Sequence, residues 1–281
     1  MLLKEDARAR LRYVRAEPGR VDLSRFPDFL IIGPQRTGTT WLHANLREHP
    51  EIFLAEPKEI FFFSRIKTPE HPKFQSDALA WYLARFRYPP WLLGYKHAMC
   101  LSRYGERFRP KIRGEATASY AAIDRDVIEE IAALNPEIKA IMMVRHPVER
   151  AWSHAKKDLA RNLGRSLESV TDEQFHAFFR DPYQIRCARY TECLDNWRSV
   201  LAPNHVLVGR FEEVATEPID FLTRVLRFLG VSSEARYIPT SAKETINPTE
   251  GAAVPERHRR FLEDLLAEEV ASWQRTFCGK A

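Results

Sequence analysis

Cysteine is scarce in this chain of 281 residues, and Cys100, Cys187, Cys193 and Cys278 form no CxxC pair and no metal-like Cys/His spacing. That argues against a zinc site and a disulfide framework, and makes free thiols in a reducing cytosol the simplest account. Long apolar runs are missing as well: no stretch approaches the roughly 18 apolar residues of a membrane span. The first ten residues carry Lys4, Glu5, Asp6, Arg8 and Arg10, which leaves no apolar segment of the signal-peptide kind. A cytoplasmic location is the expectation. Like charges never run five in succession and arginine is scattered from Arg8 to Arg275, so a nucleic-acid partner has no concentrated basic footprint to bind. Internal repeats, low-complexity tracts and long Gly/Ser/Pro linkers are absent too, which points to one domain.

What is present fits a large α/β core. Hydrophobic residues make up 44% of the chain, and 43 Lys and Arg against 38 Asp and Glu leave a formal charge of +5, compatible with a polyanionic ligand. The apolar run Phe29-Leu30-Ile31-Ile32 ends at Gly33, and after a polar turn the apolar residues of Thr39 to Leu46 fall at helical spacing. The same strand, turn and helix return at Ile138 to Val144, Arg145-His146-Pro147 and Val148 to Leu163, with Pro147 at a helix start where its missing N–H costs nothing. A helix over Tyr190 to Leu201, a strand over Val206 to Gly209 and a helix from Phe221 to Leu229 stopping at Gly230 complete the pattern. Strands alternating with helices predict a central parallel sheet with helices on both faces. Residues 68–110, rich in aromatics and prolines, read as an insertion of helices and loops near the site.

Gly33-Pro34-Gln35-Arg36-Thr37-Gly38-Thr39-Thr40 follows a strand and opens a helix, so its backbone N–H groups and the helix dipole can face an anion. Gly33 and Gly38 keep the spacing of a nucleotide-binding P-loop, but Thr39 stands where the phosphate-binding lysine of GxxxxGK[ST] belongs. The cation has moved into the loop at Arg36, whose planar fork can hold two oxygens of one group. The bland alternative is an ordinary βα turn. A second anion site is suggested by Arg145 at a strand end with Ser153 eight residues on, about two turns into the following helix. In a parallel sheet both belong to the rim where ligands gather. From the residues alone, Arg145 paired with Glu149 and a solvated Ser153 is an equal alternative.

Residues 29–40 resemble the 5′-phosphosulfate loop of sulfotransferases that use 3′-phosphoadenosine 5′-phosphosulfate (PAPS), closest to the heparan sulfate N-sulfotransferase domain and its bacterial relatives. Arg145 to Ser153, in the order RHPVERAWS, is similar to that family's 3′-phosphate motif. Gly114 to Tyr120 and the helix Tyr190 to Trp197 also resemble family blocks. The resemblance implies a single P-loop-NTPase-like α/β domain over 1–281, with a core of about 27–232 and a C-terminal loop and helix over 240–275 packing near the site. It implies in-line transfer of a sulfuryl group to a hydroxyl or amine of a carbohydrate or small molecule, releasing 3′,5′-adenosine bisphosphate without a metal.

The resemblance assigns donor binding to Gln35, Arg36, Thr37, Gly38, Thr39, Thr40, Arg145, Ser153 and Tyr190, with Lys243 in Lys243-Glu244-Thr245 adding a phosphate contact from a closing loop or else lying in solvent. It makes Glu59 in Pro57-Lys58-Glu59-Ile60-Phe61-Phe62-Phe63 the general base, unless that segment is core with Glu59 a solvated neighbour. Lys58 would steady the sulfuryl oxygens or orient Glu59, and His97 is the runner-up base. Arg36 departs from the lysine usual in the family, and either serves as a static transition-state clamp or belongs to an enzyme that is slower or differently arranged. His43 and His154 can satisfy local hydrogen bonds, and Glu115 reads as site structure. Tyr82, Trp81, Trp91 and Tyr95 offer a stacking surface for the acceptor or else core. The rival functions are a P-loop kinase or NTPase, and a nucleotide-binding scaffold without catalysis.

Overall fold

The structure is a computed structural model that describes residues 2–17, 21–243 and 253–278. Its sheet has five strands: β1 Phe29–Gly33, β2 Ile52–Leu54, β3 Ile112–Ala116, β4 Lys139–Val144 and β5 Val206–Arg210. The order is β2-β3-β1-β4-β5 and every pairing is parallel. The principal helices, in chain order, are α1 Thr39–Leu46, α2 Pro90–Tyr104, α3 Arg125–Leu134, α4 Pro147–Ala155, α5 Tyr190–Arg198, α6 Pro218–Leu229 and α7 Glu256–Leu265.

Alternation along the central strands explains the two helical layers. Phe29 and Ile31 of β1, with Ile141 and Met143 of β4, pack against Trp41, Leu42 and Leu46 of α1 and Phe221, Val225 and Leu226 of α6. Leu30 and Ile32, with Ala140, Met142 and Val144, turn to the other face and meet Ile128 and Ile131 of α3 and Leu194 and Trp197 of α5. Both faces are covered, as apolar central strands require.

The sequence pattern misses β2 and β3. β2 has only three residues, and β3 reads Ile112-Arg113-Gly114-Glu115-Ala116, a poor strand by propensity. Gly114 is there for packing, since a Cβ on it would lie 2.3 Å from the Phe29 ring. The helix after β4 is also shorter than its periodicity predicts. It ends at Ala155 and passes into a wider turn over Lys156–Ala160, then a tight turn over Arg161–Leu163. The C-terminal helix begins next to Pro255 as expected, and His258 stacks on Trp152 of α4 at 5.2 Å. Of Lys243-Glu244-Thr245, positions 244 and 245 lie outside the described residues.

Candidate active site

Parallel strands end on one rim, and the loops after β1, β2, β3 and β4 meet there. Gly33 has φ +81°, and a Cβ on it would stand 2.3 Å from Ala118 O, so only glycine fits. Thr37 ties the loop to itself by donating to Pro34 O at 2.6 Å, and Gly38, φ +98°, leads into α1. The first N–H groups of α1 have no intrahelical acceptor, and Thr40 at this turn is exposed while Thr39 is buried.

Arg36 sits in the left-handed region at φ +71°, an arrangement that costs about 1–2 kcal/mol for a residue with a Cβ. Its Nε donates to Ser153 Oγ at 2.8 Å, and Arg145 Nη1 donates to Arg36 O at 3.4 Å. The Arg145 guanidinium lies over the Phe211 ring, 4.2 Å from its centroid. Glu149 pairs with Arg259 of α7 at 2.9 Å, so the alternative Arg145–Glu149 bridge does not form. The loop arginine, the strand-end arginine and the helix serine therefore share one neighbourhood. Burial lowers the pKa of Arg36, and so does the charge of Arg145. Burial likewise lowers that of Arg145. Two half-buried cations held together favour an anion between them.

The other residues that the resemblance assigned to anion binding divide. Gln35 turns its amide away, donating to Tyr183 OH at 2.7 Å, so only its backbone remains for a ligand. Tyr190 is buried, with its hydroxyl against the Arg145 backbone and near the charges of Arg150 and Arg145. Lys243 is exposed, and the Ala242 carbonyl that precedes it accepts from Trp41 Nε1 at 3.1 Å, which holds this segment against the start of α1. Lys156 and Lys157 were not singled out from the sequence. Burial lowers both, and the charge of Arg36 acts on each of them. Their position one turn beyond Ser153 was the available signal.

The other half of the rim is built on the end of β3. Glu59, φ +68°, donates its N–H to Ala116 O at 2.9 Å, and its Oε2 accepts from Ala118 N at 3.1 Å. Lys58 Nζ reaches Glu59 Oε1 at 2.6 Å. Ile60 N donates to Thr117 Oγ1 at 3.1 Å, and that hydroxyl donates to Glu115 Oε2 at 2.9 Å. Glu115 is fully buried and also accepts from Tyr82 OH. Burial raises its carboxyl to about 7, with the charge of Glu59 adding to the rise. Ala118 thus sets its carbonyl against Gly33 and its N–H on the Glu59 carboxylate, so one residue separates the Gly33 loop from the carboxylate.

A cleft of about 460 Å³ opens beside Glu59, lined among others by Phe61, Lys73, Trp81 and Arg85. Arg85 lies over the Trp81 ring at 4.1 Å and Lys73 over Phe61 at 4.5 Å. Of the four aromatics considered as a stacking surface only Trp81 lines this cleft. Tyr82 is core, and Trp91 and Tyr95 are exposed on α2. His97, also on α2, packs against Phe108, which precedes the start of β3, so it lies toward the opposite end of the strands. His43 is buried and pushed down to about 4 by burial, then by the charge of Lys58. His154 meets Gln184 Oε1 at 2.9 Å and Asp158 at 3.2 Å.

Residues 27–235 match the sequence profile of the sulfotransferase family. The chain belongs to that family. It is 26% identical over 230 residues to human bifunctional heparan sulfate N-deacetylase/N-sulfotransferase 2, covering 77% of this chain and 23% of the relative. It is 29% identical over 243 residues to human heparan sulfate glucosamine 3-O-sulfotransferase 6, covering 83% of this chain and 59% of that one. The chain thus spans about a quarter of the first relative's length and three fifths of the second's. In fold it is similar to a sulfotransferase from Alicyclobacillus acidocaldarius, with a TM-score of 0.58, 21% identity, and 91% and 97% of the two chains covered. This rim gathers Arg36, Arg145 and Glu59 on loops at one end of a single sheet, with Ala118 of the loop after β3 between the Gly33 loop and Glu59.

Proposed function

We propose that this sulfotransferase takes its sulfuryl group from PAPS and passes it to a hydroxyl or amine of a carbohydrate or small-molecule acceptor in the cleft beside Glu59. The observation that carries this reading is the Ala118 peptide, which lies between the Gly33 loop and the Glu59 carboxylate. Glu59 accepts the acceptor's proton as the acceptor atom bonds to sulfur. The bond between sulfur and the 5′-phosphate oxygen breaks, and 3′,5′-adenosine bisphosphate leaves. Arg36 and the N–H groups at the start of α1 meet the charge that develops on the leaving phosphate, the task that preorganised donors do best. Arg145 and Ser153 hold the 3′-phosphate, and Lys58 keeps Glu59 in place through their 2.6 Å contact. Arg36, unlike lysine, cannot give up its proton, so it acts as a fixed clamp. A sugar bearing an acidic group fits a cleft with Trp81 as a stacking face and Lys73 and Arg85 as cations, and the heparan sulfate relatives favour such an acceptor.

Calorimetric titration with 3′,5′-adenosine bisphosphate, without metal, tests the donor assignment. Arg145→Ala and Arg36→Ala are each expected to weaken binding by about 10- to 150-fold, the range for a hydrogen-bonded charge, with ATP binding poorly throughout. Tighter binding of ATP with a magnesium requirement would instead establish a P-loop kinase or NTPase. Tight bisphosphate binding with no transfer to any acceptor would mark a scaffold.

A further inference from the structure

The helix α2 has its polarity reversed. Lys96, in its middle, is 3% exposed and donates to Arg47 O at 2.5 Å, while Trp91 is 73% and Tyr95 61% exposed. Among the described residues six large apolar side chains are exposed, and four of them, Trp91, Leu93, Tyr95 and Leu101, are on this one helix. Trp91, Tyr95, Ala98 and Leu101 fall at i, i+4, i+7 and i+10, a single stripe. Gly94 on the same side has nothing within 4 Å of where its Cβ would be. A chain that points its lysine inward and its tryptophan outward leaves an apolar face that no described residue covers.

Charge says what covers it. Residues 85–111 hold seven Lys and Arg and one acid, Glu106, which accepts a hydrogen bond from Tyr237 OH; of the seven, Lys96 is buried and Arg103 and Lys111 pair with Glu48 and Glu51. Arg87 lies just before α2, and Arg107 and Arg109 just after it; all three are exposed and have no ion pair among the described residues. A second copy seated on this face would bring like-charged rims together. An anionic lipid surface offers phosphate and carboxylate groups to the arginines, and an apolar boundary to the stripe. Trp and Tyr favour that boundary because each has an apolar body and a polar tip. At fifteen residues α2 is too short to span, so it would lie in the plane of the surface.

We propose that α2, with its flanking arginines, is a docking face for an anionic membrane surface. The assignment is independent of the donor and the acceptor. The test is flotation of the full chain with vesicles of phosphatidylcholine alone and of phosphatidylcholine mixed with phosphatidylserine, at low and high salt. Association with the mixed vesicles is expected, weakened by salt. Trp91→Ser with Tyr95→Ser should weaken it by about tenfold or more. Reversing Arg87, Arg107 and Arg109 to Glu should reduce it at least about fivefold per charge. The replaced side chains are exposed, so thermal unfolding should stay at the wild-type temperature. Wild-type protein that remains free of the mixed vesicles overturns the proposal, as does a stripe variant that floats like wild type. A wild-type dimer in sedimentation that the stripe substitutions split would assign the face to a second copy.

Discussion

The two halves of the rim are built from different materials. On the proposed donor side the loop after β1 has a glycine no other residue can replace, free backbone N–H groups at the start of α1 and two guanidinium groups, none of which titrates near neutral pH. On the proposed acceptor side the polar groups are carboxylates: Glu59 on the Ala118 N–H and Lys58, and Glu115 buried behind Thr117. A binding site of fixed charges can wait unchanged for its ligand. A site that must take a proton has to contain groups that exchange one, and pH reaches it. If the two halves work as proposed, donor affinity and turnover respond to different variables in one small site.

The sharpest way to separate the halves is Glu59→Gln. Loss of the base is expected to lower kcat by about 10²–10⁴-fold, with calorimetric affinity for 3′,5′-adenosine bisphosphate within twofold of wild type. An equal loss in both quantities would show that the carboxylate supports the donor loop rather than the chemistry. Gly33→Ala attacks the peptide the halves share. Its Cβ would meet Ala118 O at 2.3 Å at a φ of +81°, and the combined backbone and overpacking cost is about 2–5 kcal/mol. Urea denaturation should register that loss, and activity should fall with bisphosphate affinity because Ala118 carries both sides.

The unequal legibility of the two halves in the sequence has the same origin. Residues 33–40 and 145–153 are contiguous stretches whose spacing alone dictates a strand, a turn and a helix, so Arg36, Arg145 and Ser153 could be placed on one rim in advance. Glu59 has no such local signature. Its place depends on hydrogen bonds to Ala116 and Ala118, about sixty residues away, and only a resemblance pointed to it. Lys156 and Lys157 were obscured because the helix after β4 changes its winding at Lys156, so helical periodicity no longer says which way they face. Trp91 and Tyr95 suggested an acceptor surface by composition, yet α2 turns them outward because Lys96 and Cys100 occupy its inner face. β2 and β3 lacked a strand pattern, being short in one case and interrupted by Gly114 and Glu115 in the other.

Glu115 offers a pH test of the acceptor half. Burial lifts its carboxyl from 4.5 to about 7, so between those values the folded chain keeps a proton that the unfolded chain has released. Stability from this group therefore falls as pH rises through that window and is level above it, a change on the order of 1–3 kcal/mol. Glu115→Gln cannot ionise and should flatten the decline in unfolding temperature between pH 5 and 8. A wild-type protein whose stability is level over that range would mean that Glu115 is charged throughout, with Tyr82 and Thr117 offsetting its burial.

The smallest effect expected is on Trp81→Ala, and it sharpens the comparison from the other side. Trp81 lines the cleft, carries Arg85 at 4.1 Å and stacks on Phe62 at 6.2 Å, but it touches neither the Gly33 loop nor Glu59 through any hydrogen bond. Its removal takes away a stacking surface and frees Arg85, each worth about 0.5–2 kcal/mol. With an accepted carbohydrate substrate in hand, the acceptor KM should rise about 3- to 30-fold while the KM for PAPS and the pH profile stay where they were. A matching loss in donor affinity would mean that the cleft and the anion loop act as one site, and that the division between fixed and titrating halves stops short of Trp81.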